Sequence, residues 1–285
     1  MRIDSHQHFW QFDQAAYPWI QPSMSVLRRD YLPADLAPLI AASGIDGVMA
    51  VQAQQTVDET RWLLSLAAEH AFMRGVVGWA PLVERDVEAT IAELAQDATL
   101  KGLRHILHDE PDDRYMLREE FNRGVAQLET HGLVYDILIF AKHLPATLEF
   151  VDRHPRQPFV VDHVAKPTIT AGRFDEAWAR GLRELARRPH VACKLSGMVT
   201  EVRDPQWTPE MLRPYVETAL VAFGPSRLIF GTDWPVCLLR SSYDDWTNTV
   251  SGFLAPLSEA EQRAIMGENA ARIYRLPDDA GLRHA

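Results

Sequence analysis

Two spacings of apolar residues alternate along the chain. Short runs, mostly apolar on both alternating faces, cover residues 2–6, 46–52 (DGVMAVQ), 74–80 (RGVVGWA), 100–106 (LKGLRHI), 133–139 (LVYDILI), 158–164 (PFVVDHV), 190–196 (HVACKLS) and 227–233 (RLIFGTD). Strands covered on both faces, as in a buried parallel sheet, read this way. Between them lie stretches with helical spacing. Residues 33–43 place Leu36, Leu39 and Ile40 on one stripe behind Pro33, a good first helical residue. Residues 56–71 repeat Leu63, Leu66 and Ala67; residues 86–98 repeat Val87, Ile91 and Leu94; residues 117–131 repeat Phe121, Val125 and Leu128. Further helices are predicted over about 144–154, 173–187, 210–223 and 258–268, the last opening on Ser258 and Glu261 at capping-box spacing.

Strand and helix thus alternate about eight times, with the spacing of βα units. This predicts an α/β fold, a (β/α)8 TIM barrel with its active site at the C-terminal ends of the strands. An open doubly wound sheet fits less well, because the first strand runs into His6-Gln7-His8 and not into a glycine loop. No Pro/Gly/Ser-rich linker or step in composition divides the chain, so one domain is expected over residues 1–285. The aromatic-rich segment 10–31 follows the first strand and is expected to lie over the barrel mouth.

Composition narrows the function. Apolar residues make up 47% and charged residues 24%, the balance of a soluble globular protein. A net charge of −10 supplies no basic face for a phosphate backbone, so no nucleic-acid partner is expected. No apolar run approaches the ~20 residues of a membrane span. The N-terminus lacks a hydrophobic signal stretch. Cys193 and Cys237 are too few for a disulfide framework and are read as structural, which fits a cytoplasmic enzyme.

Reactive groups of a (β/α)8 barrel project from the C-terminal strand ends. Those ends carry Asp4, His6 and His8; Gln52 and Gln54; Arg104, His105 and His108; Tyr135 and Asp136; Asp162, His163 and Lys166; Lys194 and Ser196; and Thr232, Asp233 and Trp234. Ionisable groups therefore converge from six strands. A lone strand histidine is commonly a packing residue. His6 and His8, two apart on one strand face, form a pair that can share a cation or a substrate carbonyl. Asp233, closing an apolar run, reads as a base held away from bulk water; His163 follows the same logic. Arg104, His105, Gln54, Lys194, Tyr135 and Asp136 are candidate substrate contacts, and Trp10 and Trp234 candidate stacking surfaces, although a buried tryptophan is often simply core.

These motifs resemble the amidohydrolase superfamily. The carriers are IDSHQHFW, VVDHVAKP, CKLSGM, FGTDWPV and the closing GENAARIYRL, spread over nearly the whole chain. The pattern is most similar to the sugar-lactone hydrolase branch, above all the L-fuconolactonases. The resemblance implies hydrolysis at the C-terminal mouth. The chain departs from the metal-binding members in two places. Strand four has no lysine or glutamate where binuclear members bridge two metals, and strand five has no histidine where mononuclear members ligate one. His6, His8, His163 and Asp233 can hold one Zn²⁺ or act with no metal at all; no essential cofactor is expected.

The expected reaction opens a sugar lactone to its aldonic acid, with L-fucono-lactone as the type. Asp233 would be general base for water, and His6, His8 and His163 would polarise the carbonyl. Few arginines sit at strand ends, whereas amides and tryptophans do, which suits a neutral polyhydroxylated ring better than a carboxylated one. The alternatives are a metal-dependent decarboxylase or hydratase on the same fold, and a barrel that only binds a metabolite. The only partner expected is the small-molecule lactone, with the protein a monomer or homodimer.

Overall fold

The computed structural model describes residues 1–277. Eight parallel strands pair in chain order: β1 (Ile3–Gln7), β2 (Gly47–Val51), β3 (Met73–Gly78), β4 (Leu100–His105), β5 (Val134–Ile137), β6 (Phe159–Val161), β7 (Val191–Leu195) and β8 (Leu228–Phe230). The first and last strands meet just past the end of β8. There the Asp233 N–H donates to the His6 carbonyl at 2.7 Å and the His8 N–H donates to the Trp234 carbonyl at 2.7 Å. The helices α1 (Pro33–Ser43), α2 (Val57–Glu69), α3 (Val87–Leu94), α4 (Glu119–Leu128), α5 (Leu144–Arg153), α6 (Glu176–Ala186), α7 (Pro209–Phe223) and α8 (Tyr243–Leu254) alternate with the strands. This is the (β/α)8 barrel that the alternation predicts.

The two apolar faces of the strands have separate uses. One set, with Ile3, Met49, Val51, Val77, Val134, Val160, Ala192 and Ile229, forms a cluster enclosed by the sheet. Ala270, Tyr274 and Leu276, in and just after the C-terminal helix, join that cluster and plug the end opposite the site. The other set packs beneath the surrounding helices. Each fully buried aliphatic side chain contributes about 1.5–3 kcal/mol, so both layers matter to stability.

Four elements differ from the sequence reading. β6 stops at Val161 and β8 at Phe230, because the backbone turns out of the sheet to aim side chains at the site. The helix expected over 258–268 is broken: α9 (Glu259–Arg263) gives way to a π-turn over Ala264–Glu268, then α10 (Asn269–Ile273). Gly267 in that turn packs so close to the N-terminal strand that a Cβ would lie 2.3 Å from the Met1 carbonyl oxygen. Helix α8 was not expected. Its signals are present: Ser242 caps it by accepting from the Asp245 N–H, and Tyr243, Trp246, Thr247, Val250, Phe253 and Leu254 bury one stripe. No helix among the described residues is long and apolar enough to cross a membrane.

The segment 10–31 forms the expected cover. Trp10 and Tyr31 exchange backbone hydrogen bonds at 3.0 and 2.9 Å, and Trp10 packs against Tyr17, Trp19 and Tyr31. Tyr31 meets Trp234 edge-on at 5.2 Å, which pins the cover to the end of the last strand.

Close helix packing yields a paired test. A Cβ at Gly124 in α4 would lie 2.1 Å from the Leu82 carbonyl oxygen, whereas one at Gly252 in α8 meets nothing within 4 Å. Gly124→Ala is expected to destabilise by about 1–3 kcal/mol. Gly252→Ala is expected to stabilise by roughly 0.5–1 kcal/mol. Urea denaturation midpoints of the two variants check both signs.

Candidate active site

One carboxylate oxygen organises the centre. Asp233 Oδ1 lies 3.3 Å from His8 Nε2, 3.7 Å from His6 Nε2 and 3.9 Å from His163 Nε2. All four residues are buried, at 5% exposure or less. The rings of His6 and His8 are 5.0 Å apart, and those of His6 and His163 4.4 Å. Three imidazoles from two distant segments thus surround the carboxylate from the end of the chain.

Two backbone features aim these side chains. Asp233 sits at φ 61, and His163, Val164, Ala165 and Lys166 are four consecutive non-glycine residues with φ between 45 and 61. A left-handed L-residue costs roughly 1–2 kcal/mol, so such a run persists only where its surroundings hold it. Trp178 Nε1 donates to the Val164 carbonyl at 2.6 Å, and the Lys166 N–H to the His163 carbonyl at 2.8 Å. His163 Nδ1 meets Ser196 Oγ at 2.9 Å, which leaves Nε2 toward Asp233. The bare Cα of Gly197, at φ +60, lets the His163 ring approach; a Cβ there would be 2.4 Å from Nδ1.

Below the centre runs a buried column of charge. Arg104 Nη1 donates to Asp162 Oδ2 at 3.0 Å and lies 3.2 Å from His6 Nε2, while Gln52 Oε1 accepts from Nη2 at 3.2 Å. Lys194 Nζ lies 2.5 Å from Asp136 Oδ2, 3.0 Å from Asp162 Oδ1 and 3.1 Å from His6 Nδ1. The Tyr274 hydroxyl donates to Asp136 at 2.8 Å. Burial alone would raise the Asp162 carboxyl, but Lys194, His6 and Arg104 hold it well below its usual range. Burial pushes His6 and His163 well below the usual imidazole range, so both are uncharged at neutral pH. Burial opposes ionisation of Asp233 too, yet His163, His8 and Lys166 keep it below the ordinary carboxylate value.

A cavity of about 330 Å³ opens onto the centre. Of the residues singled out in the sequence, His8, Arg104, His163 and Asp233 line it, and His6 stands directly behind them. The other proposed substrate contacts do not line it. His105 points to the helix layer, taking a hydrogen bond from Trp79 and giving one to Glu110 while stacked on Tyr115. Tyr135 also faces outward, among Phe121, Phe150 and Phe159, because strand alternation puts it on the face opposite Asp136. Asp136 and Lys194 belong to the column under the site. Trp10 and Trp234 are locked in the cover, and Trp19 is the tryptophan that reaches the cavity. Gln54 donates to the Ala16 carbonyl and so ties down the same cover. His108, Asp109, Lys166, Thr200 and Glu201 line the cavity and were given no role from the sequence. His108 and Lys166 were legible as strand-end polar residues; Glu201 and Asp109 lie on later turns that no periodicity marks.

The amidohydrolase family model matches residues 3–276. The chain belongs to the amidohydrolase family. An L-fucono-1,5-lactonase of Burkholderia multivorans is 44% identical, over 99% of this chain and 99% of that protein. An L-fucono-1,5-lactonase of Burkholderia ambifaria is 40% identical, over 100% and 99%. The crystal structure of a B. multivorans amidohydrolase with bound Zn superposes with a TM-score of 0.93 at 44% identity, over 97% of this chain and 100% of that one.

The donor set of this amidohydrolase fits a divalent cation. His6, His8 and Asp233 offer three ligand atoms within 4.8 Å of one another; His6, Asp162 and His163 form a second, overlapping group. The Val51 carbonyl, 2.8 Å from His8 Nδ1, can only accept a hydrogen bond, so that nitrogen carries the proton. Nε2 is then turned to Asp233 Oδ1 across 3.3 Å, an imidazole nitrogen and a carboxylate oxygen placed as a pair of ligand atoms. A cation satisfies such a pair, and two imidazoles with a carboxylate form a familiar zinc donor set. In the second group Asp162 is already held by Arg104 and Lys194.

Removing one member of the column should expose its cost. Lys194→Met leaves two buried carboxylates without their shared cation and is expected to destabilise by about 3–5 kcal/mol. Tyr135→Phe, outside the cavity, is expected to leave kcat and KM within about twofold of the parent. Denaturation midpoints and steady-state kinetics of the two variants check this.

Proposed function

We propose that this amidohydrolase opens a sugar lactone to the aldonic acid, with L-fucono-1,5-lactone or a close aldonolactone as substrate. The observation that carries the reading is the Asp233 carboxylate, held ionised among three imidazoles on the wall of a ring-sized cavity. The full-length likeness to two L-fucono-1,5-lactonases supports the substrate class.

Asp233 takes a proton from the attacking water and returns it to the ring oxygen as the ester bond breaks, so one acid is released per turnover. Arg104 lines the cavity and supplies positive potential as charge builds on the carbonyl oxygen. His6, His8 and His163 surround Asp233 and hold it in place; burial keeps His6 and His163 uncharged. The same three with Asp233 would hold a bound divalent cation, which supplies Lewis-acid polarisation and a more acidic water. Apolar walls from Met24, Ile106, Leu138, Val236 and Leu239 suit the carbon face of a ring.

In a pH-stat screen of aldonolactones the protein is expected to consume base with a six-membered L-fucono-lactone among its best substrates; inactivity on every lactone sinks the reading. Asp233→Asn, folded by circular dichroism, is expected to lose on the order of 10²–10⁴ in kcat. Zn²⁺ titrated into chelator-treated protein is expected to fill about one site per chain, and His8→Ala to weaken it at least about tenfold; unchanged affinity would remove His8 from the donor set.

A further inference from the structure

The cavity wall carries a second charged feature that the ring-opening chemistry does not use. Lys166 Nζ lies 3.5 Å from Glu201 Oε1, and both side chains line the cavity that Asp233 lines. Glu201 is buried, at 4% exposure. Lys166 ends the left-handed run, at φ 45, so strained backbone delivers its ammonium there. Glu201 closes the short turn Val199–Glu201, which a hydrogen bond from the Ile169 N–H to the Glu201 carbonyl at 3.2 Å ties to the loop after Lys166.

The lining residues include two cations, Arg104 and Lys166, against three carboxylates, Asp109, Glu201 and Asp233. Arg104 is committed to Asp162 and Gln52. Lys166 is thus the lining cation left to receive an anionic substituent, and Glu201 occupies it. An ammonium with three donors beside a carboxylate with only acceptors suits neighbouring hydroxyls, which both give and take hydrogen bonds. A carboxylate on the substrate would have to displace Glu201 from Lys166 and leave that buried acid with Arg203 alone, whose Nη2 donates to Oε2 at 3.4 Å.

We propose that the Lys166–Glu201 pair reads the hydroxyl-bearing edge of the substrate ring and excludes lactones that carry a carboxylate. The inference rests on the lactonase reading and adds the residues that set its selectivity.

The test compares the parent with Glu201→Gln, which keeps the side-chain size and removes the charge. On the best neutral aldonolactone, KM is expected to rise about tenfold with kcat held. Affinity for tetrahydropyran-2-carboxylate, an unreactive carboxylated ring, is expected to rise about tenfold by calorimetry. Lys166→Met approaches the pair from the other side: neutral-lactone KM rises similarly, and the carboxylated ring does not bind even when Glu201→Gln is added. Unchanged carboxylate affinity in Glu201→Gln, or a gain that survives Lys166→Met, overturns the proposal, as does a loss confined to kcat. If the parent opens no lactone, the proposed function fails, and the calorimetric arm still decides whether the pair selects against carboxylates.

Discussion

The seam between the first and last strands is the constraint on which the site depends. Two backbone hydrogen bonds close it, and both involve residues of the centre: Asp233 donates to the His6 carbonyl, and His8 donates to the Trp234 carbonyl. Closing the barrel and assembling the carboxylate–imidazole group are therefore one event. Asp4 reinforces the seam from β1. Its carboxylate accepts from the Thr232 N–H at 2.9 Å, the Thr232 hydroxyl at 2.5 Å and the Tyr243 hydroxyl at 3.1 Å. A strand-end aspartate that looks reactive in sequence is thus spent on fixing the residue before Asp233. Burial raises its pKa to about 6 against these hydrogen bonds.

Beneath the seam the barrel interior is not uniformly apolar. Arg104, Asp162, Lys194 and Asp136 form a continuous ionic layer between the hydrophobic plug and the cavity. Buried ion pairs contribute little net stability against well-packed hydrophobic residues, because desolvation offsets their attraction. Here the layer has a positional role: it flanks His6 on both nitrogens and fixes the face that ring turns to Asp233. The plug residue Tyr274 reaches the same layer through Asp136, so the C-terminal helix end is linked to the centre by hydrogen bonds.

The cover over residues 10–31 and the left-handed run after β6 both contribute to the cavity wall. Trp19 and Met24 come from the cover; Lys166 comes from the run. Trp19 Nε1 donates to the Ala53 carbonyl at 3.1 Å, and Glu59 holds the Ala53 and Gln54 N–H groups, so the cover is tied to the loop after β2. A cavity built this way takes its chemistry from the strands and its selectivity from the loops, the usual division of labour in this architecture.

Much of this was legible along the chain. Strand–helix alternation is a local signal, written in the spacing of apolar residues, so the eight strands and their parallel order follow from it. The rule that chemistry sits at C-terminal strand ends then picked out His6, His8, Arg104, His163 and Asp233, all of which meet in space. Periodicity could not say which way a residue at a strand end turns. Tyr135 and His105 face the helices because of pleat parity at their own strands, while Asp136 and Lys194 sink into the barrel. The left-handed run at 163–166 and the positive φ of Asp233 violate local preference, so no local pattern announces them. They exist because packing against Trp178, Gly197 and the β1–β8 seam outweighs the strain, and that balance is struck only once the barrel has closed.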